Sequence, residues 1–330
     1  MLEKFNNLIK TLGFDLKKVD EIILSFAQGK SPLIQEISNH LIASGGKRIR
    51  PILLILAAKL FNQNNQNCYN LAAAVELIHS ATLLHDDVVD TSQIRRGKKT
   101  ANAIWDNKPS ILVGDYLFSI SFQLMVLSKN LAVLDLLAKA SSIMADGEVM
   151  QLENSNDINL TKDKYFEIIF GKTAVLFSAA CEAPALINER SNDEIIALRE
   201  FGKNLGNIFQ ILDDVLDYCA TQAVLGKDIG NDFFEGKVTL PIILTLEKCD
   251  ENDRKIITDL FAKNLMQNEQ NHDDFKIILQ IIEKYNGLGL AKNLAKHHHD
   301  LAIKNLEIFP NNAAKENLIT ILEYCAARIF

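Results

Sequence analysis

The chain has 330 residues, of which 48% are hydrophobic and 23% charged, and its net charge is −7. These values describe a globular protein long enough for a large core. The acidic balance argues against general nucleic-acid binding, and six prolines and fifteen glycines among long amphipathic stretches predict a mostly helical chain.

In chain order, the N-terminal MLEKFNNLIKTLGFDLKKV lacks the apolar core of a signal peptide. Next, Gly45-Gly46-Lys47-Arg48-Ile49-Arg50-Pro51 sets three cations beside a glycine pair. Glycine permits close backbone approach to an anion, and Lys and Arg supply donors for phosphate. It is not a Walker A loop, because Lys47 is followed by Arg48 instead of Ser or Thr. Pro51 suits the first turn of a helix. After a loop tip at Asn62–Asn67, an apolar helix carries His79 and then Asp86-Asp87-Val88-Val89-Asp90. His79 lies seven residues, two turns, before Asp86 on roughly the same face. A basic loop, Thr91–Thr100, follows with Arg95 and Arg96. Further on come Gly114–Phe118 (GDYLF), a loop at Asn154–Asn159, and Lys172-Thr173. A second acidic cluster is Asp213-Asp214-Val215-Leu216-Asp217. A loop from Ala220 to Gly236 holds Lys227, and Lys237 follows. Lys263–Asp274 is the most polar stretch, and His297-His298-His299 reads as a solvated patch because adjacent helical residues point in different directions.

The five cysteines, Cys68, Cys181, Cys219, Cys249 and Cys325, show no CxxC spacing and read as reduced residues of a cytoplasmic protein. No run of about 18 uncharged apolar residues occurs, so no stable membrane insertion is expected. No stretch resembles an interdomain linker, which predicts one domain over 1–330. The repeated acidic motif hints at two related halves within one bundle.

That motif carries the chemistry. Carboxylates at i, i+1 and i+4 of a helix share one side, with i+1 about 100° round. Three acids in an apolar frame repel each other and are costly to bury unpaired. Two such clusters suggest facing walls that share a counter-charge. Oxygen ligands without His or Cys favour Mg²⁺, completed by phosphate oxygens. Carboxylates and cations together suit Mg²⁺ with diphosphates.

GGKRIRP (Gly45–Pro51), ELIHSATLLHDDVVDTSQIRRGKKT (Glu76–Thr100), GDYLF, GEVMQL (Gly147–Leu152), GKTAVLF (Gly171–Phe177), FQILDDVLDY (Phe209–Tyr218) and GKDIGNDFFEGKVTLP (Gly226–Pro241) resemble the motif set of trans-polyprenyl diphosphate synthases, most closely the bacterial octaprenyl branch. The resemblance implies an all-α, single-domain helical bundle of the isoprenoid synthase type with a central active-site cavity, usually a homodimer. It implies head-to-tail addition of isopentenyl diphosphate to an allylic diphosphate, farnesyl diphosphate being the expected primer, for quinone side chains. Carried over, Asp86 and Asp90 of the first cluster, with Asp87 nearby, and Asp213, Asp214 and Asp217 of the second hold Mg²⁺ on the allylic diphosphate. Arg95, Lys172, Lys227 and Lys237 contact the allylic diphosphate. Lys47, Arg50, His79 and Arg96 hold isopentenyl diphosphate. The Lys172 carbonyl, Thr173 and Gln210 face the allylic carbon as it becomes cationic. The alkene is itself the nucleophile and the released pyrophosphate can take the proton, so no protein nucleophile or base is required.

Chain length follows from what lies below the first cluster. Ala81 and Thr82 sit about 6 to 7.5 Å down the axis from Asp86. Short-chain members of the family place a large aromatic near there, whereas both residues here are small. Floor candidates are Phe118, Phe122, Met125 and Leu134. The expectation is a medium-to-long product, best matched by octaprenyl, with a shorter geranylgeranyl-type product as the alternative. A terpene cyclase would lack the second DDxxD-type motif, and a non-catalytic subunit of a heteromeric synthase would lack acidic motifs that this chain keeps.

Overall fold

Every residue from Cys68 to Ile78 is buried, although the stretch shows no polar face. A helix that is apolar all round has to run through a core. Helix α5 (Gln66–Val89) does so in the computed structural model, which describes residues 1–43, 45–63, 65–219, 230–266 and 271–327. Asn65 caps its start, the side-chain oxygen accepting from the Cys68 N–H. It ends at Asp90, whose N–H donates back to the Asp86 carbonyl. The all-α expectation holds. Among the described residues the only strands are Ile94–Arg95 and Lys98–Lys99, a two-residue antiparallel pair within the basic loop.

The chain forms two compact units. The first comprises Met1–Ser142, Leu176–Gly202 and Ile303–Tyr324. Here α5 is packed by α2 (Gly13–Phe26), α4 (Ile49–Leu60) and, most extensively, α7 (Asn107–Leu127). Helices α5 and α7 approach closely beside the acidic cluster. A Cβ on Gly114 would overlap the His85 ring nitrogen, so any larger residue there would have to displace that ring. His85 also lies 3.2 Å from the Ile111 carbonyl and 3.4 Å from Asp115. The GDYLF segment thus fixes α7 against the end of α5.

The second unit is built from Ile143–Val175 and the described part of Lys203–Ala302. It contains the C-terminal part of α8 (Leu131–Glu153), then α9 (Lys162–Ile169) and a π-helical turn at Phe170–Ala174 that leads into α10 (Val175–Ile187). The Val175 N–H reaches five residues back to the Phe170 carbonyl. Such wide turns interrupt the regular ladder and occur often at functional sites. Two close backbone contacts hold this one. A Cβ on Gly147 would meet the Lys172 nitrogen at 2.6 Å, and one on Gly206 would meet the Ala174 Cα at 2.5 Å. The end of α11 (Asn192–Cys219) and the short helix α12 (Asn231–Phe234) rest on an aromatic cluster. Phe233 lies 5.2 Å from Phe261 and 5.9 Å from Phe275, and Tyr218 lies 5.9 Å from Phe275.

One sequence expectation is narrowed and one is corrected. The reading without a membrane-length segment excluded any charge. With up to two charges allowed, Asn107–Leu127 and Lys162–Ile187 are long and apolar enough to cross a bilayer, the first 44% and the second 89% buried in this structure. The His run is not simply solvated either. On the long helix Gly287–Asn305, His298 is half-buried, its Nδ1 lies 2.7 Å from Asn204 Oδ1 and its ring packs on Phe166. Burial lowers it to about 4, with His297 and Lys203 adding to the effect.

Candidate active site

Both acidic clusters lie in the last turns of their helices, α5 and α11. A helix C-terminus carries partial negative charge, so acids there are disfavoured unless cations compensate. Both clusters divide in the same way. The second carboxylate turns inward and the first is the more exposed of the two. Asp87 is 3% exposed and accepts from Arg95 Nε at 2.8 Å, while Asp86 and Asp90 are half-buried. Asp214 is 2% exposed and accepts from the Tyr165 hydroxyl at 2.5 Å and from Gln210 Nε2 at 2.8 Å, while Asp213 is exposed. Burial pushes the Asp214 carboxyl up to about 7, and the neighbouring acids Asp213 and Asp217 push the same way against the two hydrogen bonds.

Asp217 differs from the role carried over for it. Its carboxylate accepts the backbone N–H groups of Asn231 and Asp232 at 3.2 and 3.0 Å, so it anchors α12. Among the described residues no group of three His, Cys, Asp or Glu side chains is arranged to hold a metal ion. Asp87 and Asp214 are buried against protein donors and Asp217 is bound to the α12 backbone, so the candidate metal ligands are Asp86, Asp90 and Asp213. Those remaining donors are carboxylate oxygens. They fit a hard divalent cation whose other positions are filled by phosphate oxygens and water.

In the first unit the basic residues converge. Arg48, His79, Arg95, Arg96, Glu76 and Gly45 line one cavity with Asp87. Arg48 adopts a left-handed backbone, φ 49°, and spans from Glu76 at 2.5 Å to Asp20 at 3.3 Å. Arg50 stacks over the Phe177 ring at 4.3 Å, and its Nε is enclosed without a hydrogen-bond partner. Burial lowers its guanidinium to about 10, with Glu76 opposing and Arg96 reinforcing the drop. His79 is held well below its ordinary value, first by burial and then by Arg50, Arg96, Arg95 and Arg48, so it is a neutral donor. Arg96 is exposed, left-handed at φ 54°, and donates to the Gly45 carbonyl. Its loop is tied down by Lys98 to the Ala43 carbonyl at 2.7 Å, and the His40 ring nitrogen lies 2.9 Å from the Lys99 carbonyl. Lys47, in contrast, is exposed and sits over the Tyr324 ring at 4.9 Å.

In the second unit Lys172 pairs with Glu148 at 3.0 Å, and the Thr173 hydroxyl donates to Gln210 Oε1 at 2.8 Å. Lys237 pairs with Glu235. Lys227 lies outside the described residues. Asp232, between Asp217 and Lys237 in the chain, is raised well above the carboxylate range by burial and by Asp217 and Asp214. Of the chain-length residues, Ala81 is 1% exposed, Thr82 is half-buried with its hydroxyl on the His79 carbonyl, and Met125 is fully buried. Phe122 is 36% exposed and meets Phe118 edge-on at 5.2 Å.

Sequence reasoning missed Arg48 as a charge anchor, Glu76, Glu148, Tyr165 and Asp232. Glu76 did leave a signal, being a lone acid in an otherwise uncharged run from Asn70 to Ile78. Tyr165 left none, because its partner is 49 residues away.

A helical body with a duplicated acidic motif, inward-held middle carboxylates and a pocket of arginines defines a diphosphate-handling enzyme. The chain belongs to the polyprenyl synthetase family, whose model matches residues 31–282. It is 37% identical to the octaprenyl diphosphate synthase of Haemophilus influenzae over 320 residues, 97% of this chain and 96% of that one. Among solved structures it is similar to a decaprenyl diphosphate synthase from Rhodobacter capsulatus, with TM-score 0.93, 40% identity and 99% of each chain covered. It is also similar to a polyprenyl synthase from Caulobacter crescentus complexed with calcium and isoprenyl diphosphate, with TM-score 0.92, 40% identity and 98% coverage of each chain.

Proposed function

We propose that this trans-polyprenyl diphosphate synthase extends an allylic diphosphate, farnesyl diphosphate by preference, with isopentenyl diphosphate until an octaprenyl chain is made for a quinone side chain. The observation that carries the reading is the matched division of the two acidic triplets, each with one carboxylate locked inward. The outer acids Asp86, Asp90 and Asp213 would hold Mg²⁺. When bound, it supplies Lewis-acid polarisation of the departing diphosphate.

The chain's own residues do the rest. Arg50, with its enclosed Nε, and neutral His79 and Arg96 bind the second diphosphate through charge-assisted hydrogen bonds. Gln210 Oε1 and the Thr173 hydroxyl oxygen present negative ends of dipoles to the allylic cation, in a site whose polarity is fixed before reaction. Small, buried Ala81 supports passage of a growing tail, and buried Met125 supports a floor further along.

The chain acts as one catalytic domain and as a homodimer in the cytoplasm. A second copy is supported by Ile111, Leu112, Phe122 and Val126, exposed together on α7 at helical spacing. The five cysteines without paired spacing support the reducing compartment.

The test is to incubate the purified protein alone with labelled isopentenyl diphosphate, farnesyl diphosphate and Mg²⁺, then size the dephosphorylated product by chromatography. Octaprenol is expected, with turnover lost in chelator and reduced by orders of magnitude in Asp86→Ala and Asp213→Ala. Geranylgeraniol alone would leave the enzyme class intact and replace the chain length. No condensation by the folded protein would replace the catalytic reading with that of a partner subunit.

A further inference from the structure

Resting on the prenyltransferase reading, we propose that Tyr165 and Asp214 are positioning residues that fix the orientation of the Gln210 amide, and that Asp214 serves the reaction through that amide instead of as a metal ligand. Four side chains form an unbroken row. Tyr165 donates to one Asp214 oxygen at 2.5 Å, Gln210 Nε2 donates to the other at 2.8 Å, and Thr173 donates to Gln210 Oε1 at 2.8 Å. Tyr165 is 4% exposed and Asp214 2% exposed.

In its ionised form the Asp214 carboxylate can only accept hydrogen bonds. With Tyr165 on one oxygen, the other oxygen requires a donor from Gln210, so the amide nitrogen faces Asp214 and the amide oxygen faces Thr173. An unrestrained glutamine amide has a broad, roughly two-fold terminal torsion. The flipped form would set oxygen against oxygen at Asp214 and point N–H groups toward the forming cation. The row therefore selects the one orientation that stabilises positive charge.

The backbone leaves little slack for another arrangement. Thr173 lies in the π-helical turn, and its neighbour Ala174 is packed against Gly206, four residues before Gln210. The first cluster offers a parallel, since Asp87 is likewise turned inward, onto Arg95. In both triplets the middle acid belongs to the scaffold that aims its neighbours.

The test uses the full-length protein with Asp214→Asn, Tyr165→Phe and the double variant, each checked for helicity and melting temperature. Asp214→Asn keeps the side-chain shape. With the new amide's oxygen on the Tyr165 hydroxyl, its nitrogen confronts Gln210, which must flip. The expected result is a fall in kcat of about 100-fold, the scale for losing one oriented dipole. The KM for isopentenyl diphosphate and calorimetric binding of Mn²⁺ with inorganic pyrophosphate should stay within about twofold of wild type, because uniform binding is untouched. Tyr165→Phe should lower kcat about tenfold with the same unchanged binding, and the double variant should lose no more than Asp214→Asn alone, as coupled parts of one device do.

Pyrophosphate–Mn²⁺ binding lost in Asp214→Asn to the extent seen in Asp213→Ala would make Asp214 a ligand and overturn the proposal. Wild-type kcat in either folded variant, or losses that multiply in the double variant, would overturn it as well. Asp214→Asn is nearly isosteric and decides the question alone should Tyr165→Phe not fold. Failure of the prenyltransferase reading is distinct, because the wild-type protein would then condense nothing.

Discussion

Arg50 holds a charge that the folded protein keeps at a cost, and Arg50→Met exposes that cost. Burial brings its guanidinium from 12.5 to about 10. At about 1.4 kcal/mol per pKa unit, holding the proton disfavours the folded form by about 3 kcal/mol. The stacking on Phe177 at 4.3 Å returns about 0.5 to 2 kcal/mol. Methionine keeps a long apolar stem against that ring and carries no charge. Glu76, which attracts Arg50, retains Arg48 at 2.5 Å and is not left alone. The substitution should therefore stabilise the ligand-free protein by about 1 to 2 kcal/mol, read from urea unfolding at pH 7. The same variant should raise the KM for isopentenyl diphosphate by about 10- to 100-fold, the loss of a charge-assisted bond to a diphosphate. Inorganic pyrophosphate without divalent metal should raise the melting temperature of wild type by more than that of the variant. An Arg50→Met protein less stable than wild type by more than about 1 kcal/mol would show that the guanidinium is a net structural support, and the argument from its burial would fail.

Ala81→Phe inserts a ring at a site only 1% exposed, at an overpacking cost of about 1 to 3 kcal/mol, and should end growth after one or a few additions, whereas Met125→Ala opens a cavity and should lengthen or broaden the products. Chromatographic sizing reads both, and a wild-type product from Ala81→Phe would show that the tail does not pass this residue. Arg95→Ala removes one partner of the buried Asp87 and should cost about 1.5 to 3 kcal/mol of stability, while Arg96→Ala, at an exposed position, should leave the urea midpoint in place and raise the KM for isopentenyl diphosphate. Equal destabilisation by the two would contradict this division. His298 sits near 4 in the fold and near 6.5 unfolded, so the unfolded chain binds the extra proton between those values. The stability it contributes is present above pH 6.5 and is lost as pH falls toward 4. His298→Asn should flatten the melting temperature across that window, and a slope as steep as that of wild type would refute the assignment.

The sequence by itself determined that the protein is helical, that two carboxylate triplets lie on apolar helices, and that seven ordered motifs belong to one family. Each of these is written locally. A period near 3.6 marks a helix, i and i+4 share a face, and a motif is read from consecutive residues. What only the tertiary structure decided is which member of each triplet faces inward. The spacing fixes angles about the helix axis but not which angle meets the core. Asp87 turns in because Arg95 returns on a hairpin beside it, and Asp214 because Tyr165 and Gln210 meet it. Arg48, not Lys47, became the anchored cation because Glu76 stands on the neighbouring helix. His298 left the solvated patch assigned to its run because Asn204, 94 residues earlier in sequence, lies 2.7 Å from its ring. These partners are distant in sequence, and their pairings depend on how helices pack, which no local pattern encodes.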